Sequence, residues 1–120
     1  MTLQATPISD VLPALQPTYV STFSAQYFHF SIIIPTSTVI PGHPVFVLKC
    51  DIMATVEYAH DGVIISAPFF DEEGYGETYK IAWNDFLTSI RDRYVSMKKR
   101  EDRLSPFDRK ILHRLQQALI

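Results

Sequence analysis

Val45-Phe-Val-Leu-Lys-Cys-Asp-Ile-Met-Ala-Thr-Val-Glu-Tyr58 decides how the rest of this chain is read. Its even positions, Phe46, Leu48, Cys50, Ile52, Ala54, Val56 and Tyr58, are all apolar. Its odd positions are mostly polar beyond Val45 and Val47: Lys49, Asp51, Met53, Thr55 and Glu57. Side chains on a strand alternate between faces, so this pattern predicts one long strand with one face on a core and the other toward water. Cys50 falls on the apolar face and is expected to be a small buried hydrophobe. As the lone cysteine it has no disulfide partner within the chain, which suits a reducing compartment.

Downstream, Ala59-His60-Asp61-Gly62 reads as a tight hairpin turn, with Asp-Gly supplying positive-φ positions. Val63 to Ala67 is the return strand, and Pro68 ends it by removing a ladder donor. Phe69-Phe70-Asp71-Glu72-Glu73 is expected as a solvated acidic loop. A short glycine-marked strand, Gly74-Tyr-Gly76, then leads through Glu77 to Thr78, a good helix N-cap. Ala82, Phe86, Ile90, Tyr94 and Met97 recur at steps of three and four, with Trp83 and Leu87 widening the stripe. That spacing predicts an amphipathic helix with a core-facing stripe, ending among Lys98, Lys99 and Arg100, cations that suit the negative end of its dipole. A second, shorter helix is expected from Ser105-Pro106-Phe107-Asp108, with Phe107, Ile111, Leu115 and Leu119 on its apolar side and Leu112 flanking.

Upstream, alternation from Tyr27 to Ile34 predicts a first strand with Phe28, Phe30, Ile32 and Ile34 on one face and His29 on the more polar one. Three prolines and a glycine between Pro35 and Pro44 mark a loop that contains His43. Residues 1 to 24 form an N-terminal arm in which Pro13 and Pro17 interrupt any helical spacing. The domain reading is therefore an arm over 1–24 and a single α+β domain over 25–120. That domain is an antiparallel sheet of about four strands packed against one long helix, with a short C-terminal helix.

At 120 residues, 47% apolar and 20% charged, the chain can bury one ordinary core. No apolar run approaches the roughly 18 residues that span a bilayer. No Lys or Arg precedes Lys49, so a secretory leader is not expected and the protein is read as cytoplasmic. The net charge of −2 hides a split: two basic and nine acidic residues in 1–90, nine basic and four acidic in 91–120.

Chemistry-bearing motifs are sparse. G-x-S-x-G, H-E-x-x-H, a P-loop and G-x-G-x-x-G do not occur, and the four histidines are scattered. No enzyme activity, cofactor or metal is therefore expected. Asp71, Glu72 and Glu73 lie next to one another on extended chain, a poor arrangement for one ion. They are candidates for contact with a basic partner. Arg91, Arg93, Lys98, Lys99, Arg100 and Arg103 define the alternative, a nucleic-acid binder holding phosphates without reading sequence.

The order of strand, Asp61-Gly62 turn, strand, Gly76-x-Thr78 and a helix with Ala82, Phe86 and Ile90 resembles HicB-like antitoxin domains over about residues 50 to 98. The resemblance implies a small α/β domain similar to a degenerate RNase H-like unit, whose role is to hold a partner ribonuclease toxin inactive. It would make this chain a non-enzymatic protein-interaction domain that neutralises a cognate toxin by direct binding. The acidic balance of residues 1–90 would suit a basic toxin. No C-terminal DNA-binding module is recognisable, and a homodimer through strand edges is a further expected association.

Overall fold

The computed structural model describes residues 28–120, so the arm expected over 1–24 and Tyr27 lie outside the described residues. Residues 29–57 and 61–120 form one compact unit, and Phe28 and 58–60 belong to another. Strands β1 (Phe28–Ile34), β4 (Ile52–Ala59), β5 (Gly62–Ala67) and β6 (Glu72–Gly76) make a four-stranded antiparallel sheet of order β1-β4-β5-β6. Two helices follow, α1 (Tyr79–Lys99) and α2 (Pro106–Ala118), with a 3-10 turn at Glu101–Arg103 between them. The arrangement is α+β, as the alternation and helical stripes require. No helix among the described residues is long and apolar enough to cross a membrane.

The expected fourteen-residue strand is two strands in two sheets. Phe46–Val47 is β3, paired antiparallel with β2 (Val39–Ile40) in a ribbon that occupies part of the expected proline loop. Chain near the C-terminus joins this ribbon: Leu48 bridges Leu119, Lys49 N donates to Ala118 O at 2.7 Å, and Ile120 N donates to Val47 O at 3.0 Å. Lys49 to Asp51 then carries the chain from the ribbon into β4. Asp51 anchors the transfer by accepting from Thr36 N and Thr36 Oγ1, both at 2.8 Å. Cys50 sits in this crossing and is exposed, so the burial expected from its place in the alternation is wrong. Alternation places a side chain only while the strand stays in one sheet.

The buried face of the main sheet is built from Ile52, Ala54 and Val56 of β4, Val63, Ile65 and Ala67 of β5, and Ile34 of β1. Against it α1 sets Ala82, Phe86, Leu87, Ile90 and Met97. Thr78 is the N-cap, its Oγ1 accepting from Ile81 N at 3.3 Å, and Arg100 is the C-cap after Lys98 and Lys99, as expected. The ribbon packs on the same helix, with Phe46 meeting Tyr94 edge-on at 5.1 Å between centroids. Ser105 caps α2 through a bond from Asp108 N at 3.1 Å, and Pro106 takes the first helical position. Ile111, Leu112, Leu115 and Leu119 are buried, whereas Phe107 is 54% exposed and does not join them. Phe28 and Phe30, assigned by alternation to the core side of β1, are also exposed, and only Ile34 at the strand's end is buried.

Gly74 and Gly76 explain how α1 can lie against β6. A Cβ on Gly74 would stand 2.5 Å from Phe86 Cα and 2.6 Å from Ala82 O, both helix backbone. On Gly76 it would stand 2.5 Å from Ala82 N. Strand and helix backbones therefore touch with no side chain between them, and Asp85 of α1 reaches across to accept from Tyr75 N at 2.9 Å. That carboxylate satisfies a backbone donor on a strand that has a sheet neighbour on one side only.

Candidate protein-docking face

With α1 on one side of the sheet, its opposite side carries the alternate residues of each strand. On β5 and β6 the register pairs Ile64 with Tyr75 and Ser66 with Glu73 on this side. On β4 alternation puts Met53, Thr55 and Glu57 there, and on β1 it puts Ile33. Three of the large apolar side chains are more than half exposed: Ile33 at 53%, Met53 at 59% and Tyr75 at 51%. Soluble domains tolerate single exposed apolar residues, but three on one face, spread over three of its four strands, mark an interaction surface.

Tyr75 is fixed on this face. Its hydroxyl donates to Asp61 O at 2.9 Å, which draws the ring across the start of β5. Gly62 makes room for it: a Cβ there would lie 2.7 Å from the ring's Cε1 and 2.8 Å from the hydroxyl. Neither Asp61 nor Gly62 has a positive φ, and the turn residues are His60 and Asp61. The expected role of Gly62 as a positive-φ turn residue is therefore corrected. Its missing side chain admits an aromatic ring.

The three candidate acids separate. Asp71 ends the turn that starts at Pro68, with φ 54°, while Glu72 and Glu73 begin β6 and so correct the expected loop. Arg93 of α1 takes two of the three acids: its Nη1 donates to Glu72 Oε2 at 2.9 Å, and its Nη2 lies 3.5 Å from Asp71 Oδ2. Asp108 of α2 lies 3.6 Å from the same guanidinium, and Arg93 Nε is buried with no partner. One cation thus ties β6, α1 and α2 together. Glu73 points the other way, exposed on the open face with no ion pair among the described residues.

The basic candidates are also divided. Arg91 donates to Pro41 O at 2.9 Å and pairs with Asp92, Arg93 serves the acids, and Lys98 pairs with Glu101 at 2.8 Å. That ion pair raises the Lys98 pKa above its usual value. Arg103 lies 3.8 Å from Asp102, which leaves Lys99 and Arg100 as exposed cations without an ion pair among the described residues. Three or more His, Cys, Asp or Glu side chains grouped to hold a metal do not occur among the described residues. Alternation could have located Ile33, Met53 and Tyr75, but it cannot say which face a helix will cover.

Comparison of the chain with protein-family models, curated proteins and solved structures returns no match.

Proposed function

We propose that this chain is a non-enzymatic protein-interaction domain, antitoxin-like, that neutralises a partner toxin by direct binding in the cytoplasm. The toxin class, a ribonuclease, follows from the resemblance to HicB-like domains. The observation that carries the reading is the open side of the sheet, with Ile33, Met53 and Tyr75 more than half exposed. Full burial of a large apolar side chain from water releases roughly 1.5–3 kcal/mol, so covering the exposed half of each of these releases about 1 kcal/mol, of which binding retains only the surplus over ordering and desolvation. Three such residues on a rigid sheet can anchor a complex without any bond-making chemistry.

Co-expression with the protein encoded next to it, followed by co-purification and a growth-rescue assay, tests the reading. A salt-tolerant one-to-one complex is expected, and Met53→Asp or Ile33→Asp should abolish it while leaving the melting temperature within a few degrees. A neighbour that neither binds nor is silenced would overturn the proposal, as would full binding by both aspartate variants.

A further inference from the structure

We infer that the β6 end of the open face is a receptor for a single arginine or lysine side chain of the partner, held between the exposed face of the Tyr75 ring and the Glu73 carboxylate. This inference rests on the docking reading above and names the chemistry of its contact.

Tyr75 is a rigid plate, its ring lying over Gly62 and held by the bond from its hydroxyl to Asp61 O. A tyrosine already bonded through its oxygen offers an incoming group its ring face, whose quadrupole attracts cations. Glu73 stands two residues earlier on the same strand and side, which sets its Cα about 6.5 Å away along a strand of ordinary rise. A glutamate side chain reaches over that distance, so carboxylate and ring can close on one cation.

Charge on the surroundings agrees. Glu57 and Glu73 are the charged strand residues of this side on β4, β5 and β6, and both are acidic. The nearest strong competitor, Arg93, is spent on Asp71, Glu72 and Asp108. Glu73 thus stays free while its two neighbours are neutralised internally. A partner bearing a basic residue beside an apolar one would set the first over Tyr75 and the second over Met53 and Ile33. Arginine suits the site better than lysine, because its planar guanidinium can stack on the ring and bond a carboxylate at once.

A ten-residue peptide alternating arginine with valine, compared with its citrulline counterpart, tests the site without the natural partner. Citrulline keeps the shape and removes the charge. Amide shifts at Gly62, Ile64 and Tyr75, followed by NMR, should reach half-saturation at a concentration at least tenfold lower for the arginine peptide. Tyr75→Leu and Glu73→Gln should each shrink that ratio to threefold or less, with Tyr75→Phe retaining most of it. Equal affinities for the two peptides, or a ratio indifferent to both substitutions, would overturn the inference. The neighbour-encoded protein separates the two readings. If it binds the wild type and both variants equally, docking stands and the cation site falls. If it does not bind at all, docking falls and the peptide ratio still decides the site.

Discussion

Replacing Gly74 by alanine should destabilise this fold far more than a single added methyl suggests. The new Cβ would lie 2.5 Å from Phe86 Cα and 2.6 Å from Ala82 O, where ordinary contact is 3.4–4 Å. Both obstacles are helix backbone, so no rotamer change relieves them. Either β6 drops or the middle of α1 lifts by about 1 Å, and a gap of that size forfeits a quarter to a half of the dispersion well for the atoms along it. The loosened contacts include Ala82, Phe86 and Ile90, all buried. Overpacking of a core typically costs about 1–3 kcal/mol, and with two backbones in opposition the upper end, about 3 kcal/mol, applies. For a domain of this size each kcal/mol shifts the melting temperature by roughly 4–8 °C, so a fall of about 12–24 °C is expected by calorimetry or circular dichroism. The usual effect of glycine-to-alanine at a tolerant site has the opposite sign, about 0.4–1 kcal/mol of stabilisation. Glu73→Ala, one residue away and exposed, is the control and should melt with the wild type. A Gly74→Ala protein melting within about 3 °C of wild type would refute direct backbone contact between β6 and α1.

Arg93→Met should lower stability by about 2 kcal/mol, read as a shift in urea midpoint, because Glu72 loses a charged partner in a half-buried setting and three carboxylates are left facing one another. Added salt should recover part of that loss by screening the repulsion. The two bonds from Thr36 hold the Asp51 carboxyl below its usual pKa of 3.8, so its contribution is present above that pH and disappears as pH falls through the lower folded value. The stability difference between wild type and Asp51→Asn should therefore be largest at neutral pH and close in strong acid, and a difference independent of pH would count against the Thr36 bonds. Cys50 should react fully with a thiol reagent in the native state, and protection lifted only by denaturant would contradict the strand break at Lys49–Asp51.

What the sequence showed depended on how local the cause was. Thr78 and Ser105 each bond an amide three residues on, so both helix starts were legible from a few neighbouring residues. The stripe Ala82, Phe86, Ile90 needed only helical geometry. Cys50 departs from the alternation because its position is set by Asp51 bonding Thr36, fifteen residues earlier, and by Lys49 bonding Ala118 near the other end of the chain. The acidic run Asp71 to Glu73 looked like one patch, yet Arg93, twenty-one residues beyond Glu72, divides it. Gly62 and Gly76 were visible as glycines, but the reason for each lies in an atom that reaches it from another element.

The same contact that makes Gly74 intolerant of substitution also accounts for the open side of the sheet. Because α1 rests on the backbone of β6 and turns Ala82, Phe86, Leu87 and Ile90 inward, its apolar stripe is used up on one side. The second helix adds nothing to the other side, since Ile111, Leu112 and Leu115 are buried and its N-terminal Asp108 is bound to Arg93. Ile33, Met53 and Tyr75 are thus left without a described element to cover them, while Ile34 next to the first, and Ile52 and Ala54 on either side of the second, are buried on the inward face. A surface built this way is held rigid by the core beneath it, and rigidity lowers the ordering cost of an association. Loosening α1 by Gly74→Ala should accordingly weaken partner binding as well as stability, whereas Met53→Asp should weaken binding alone. If Gly74→Ala lowered the melting temperature as expected but bound the partner with undiminished affinity at a temperature where it stays folded, rigidity of the sheet would not be what the docking face depends on.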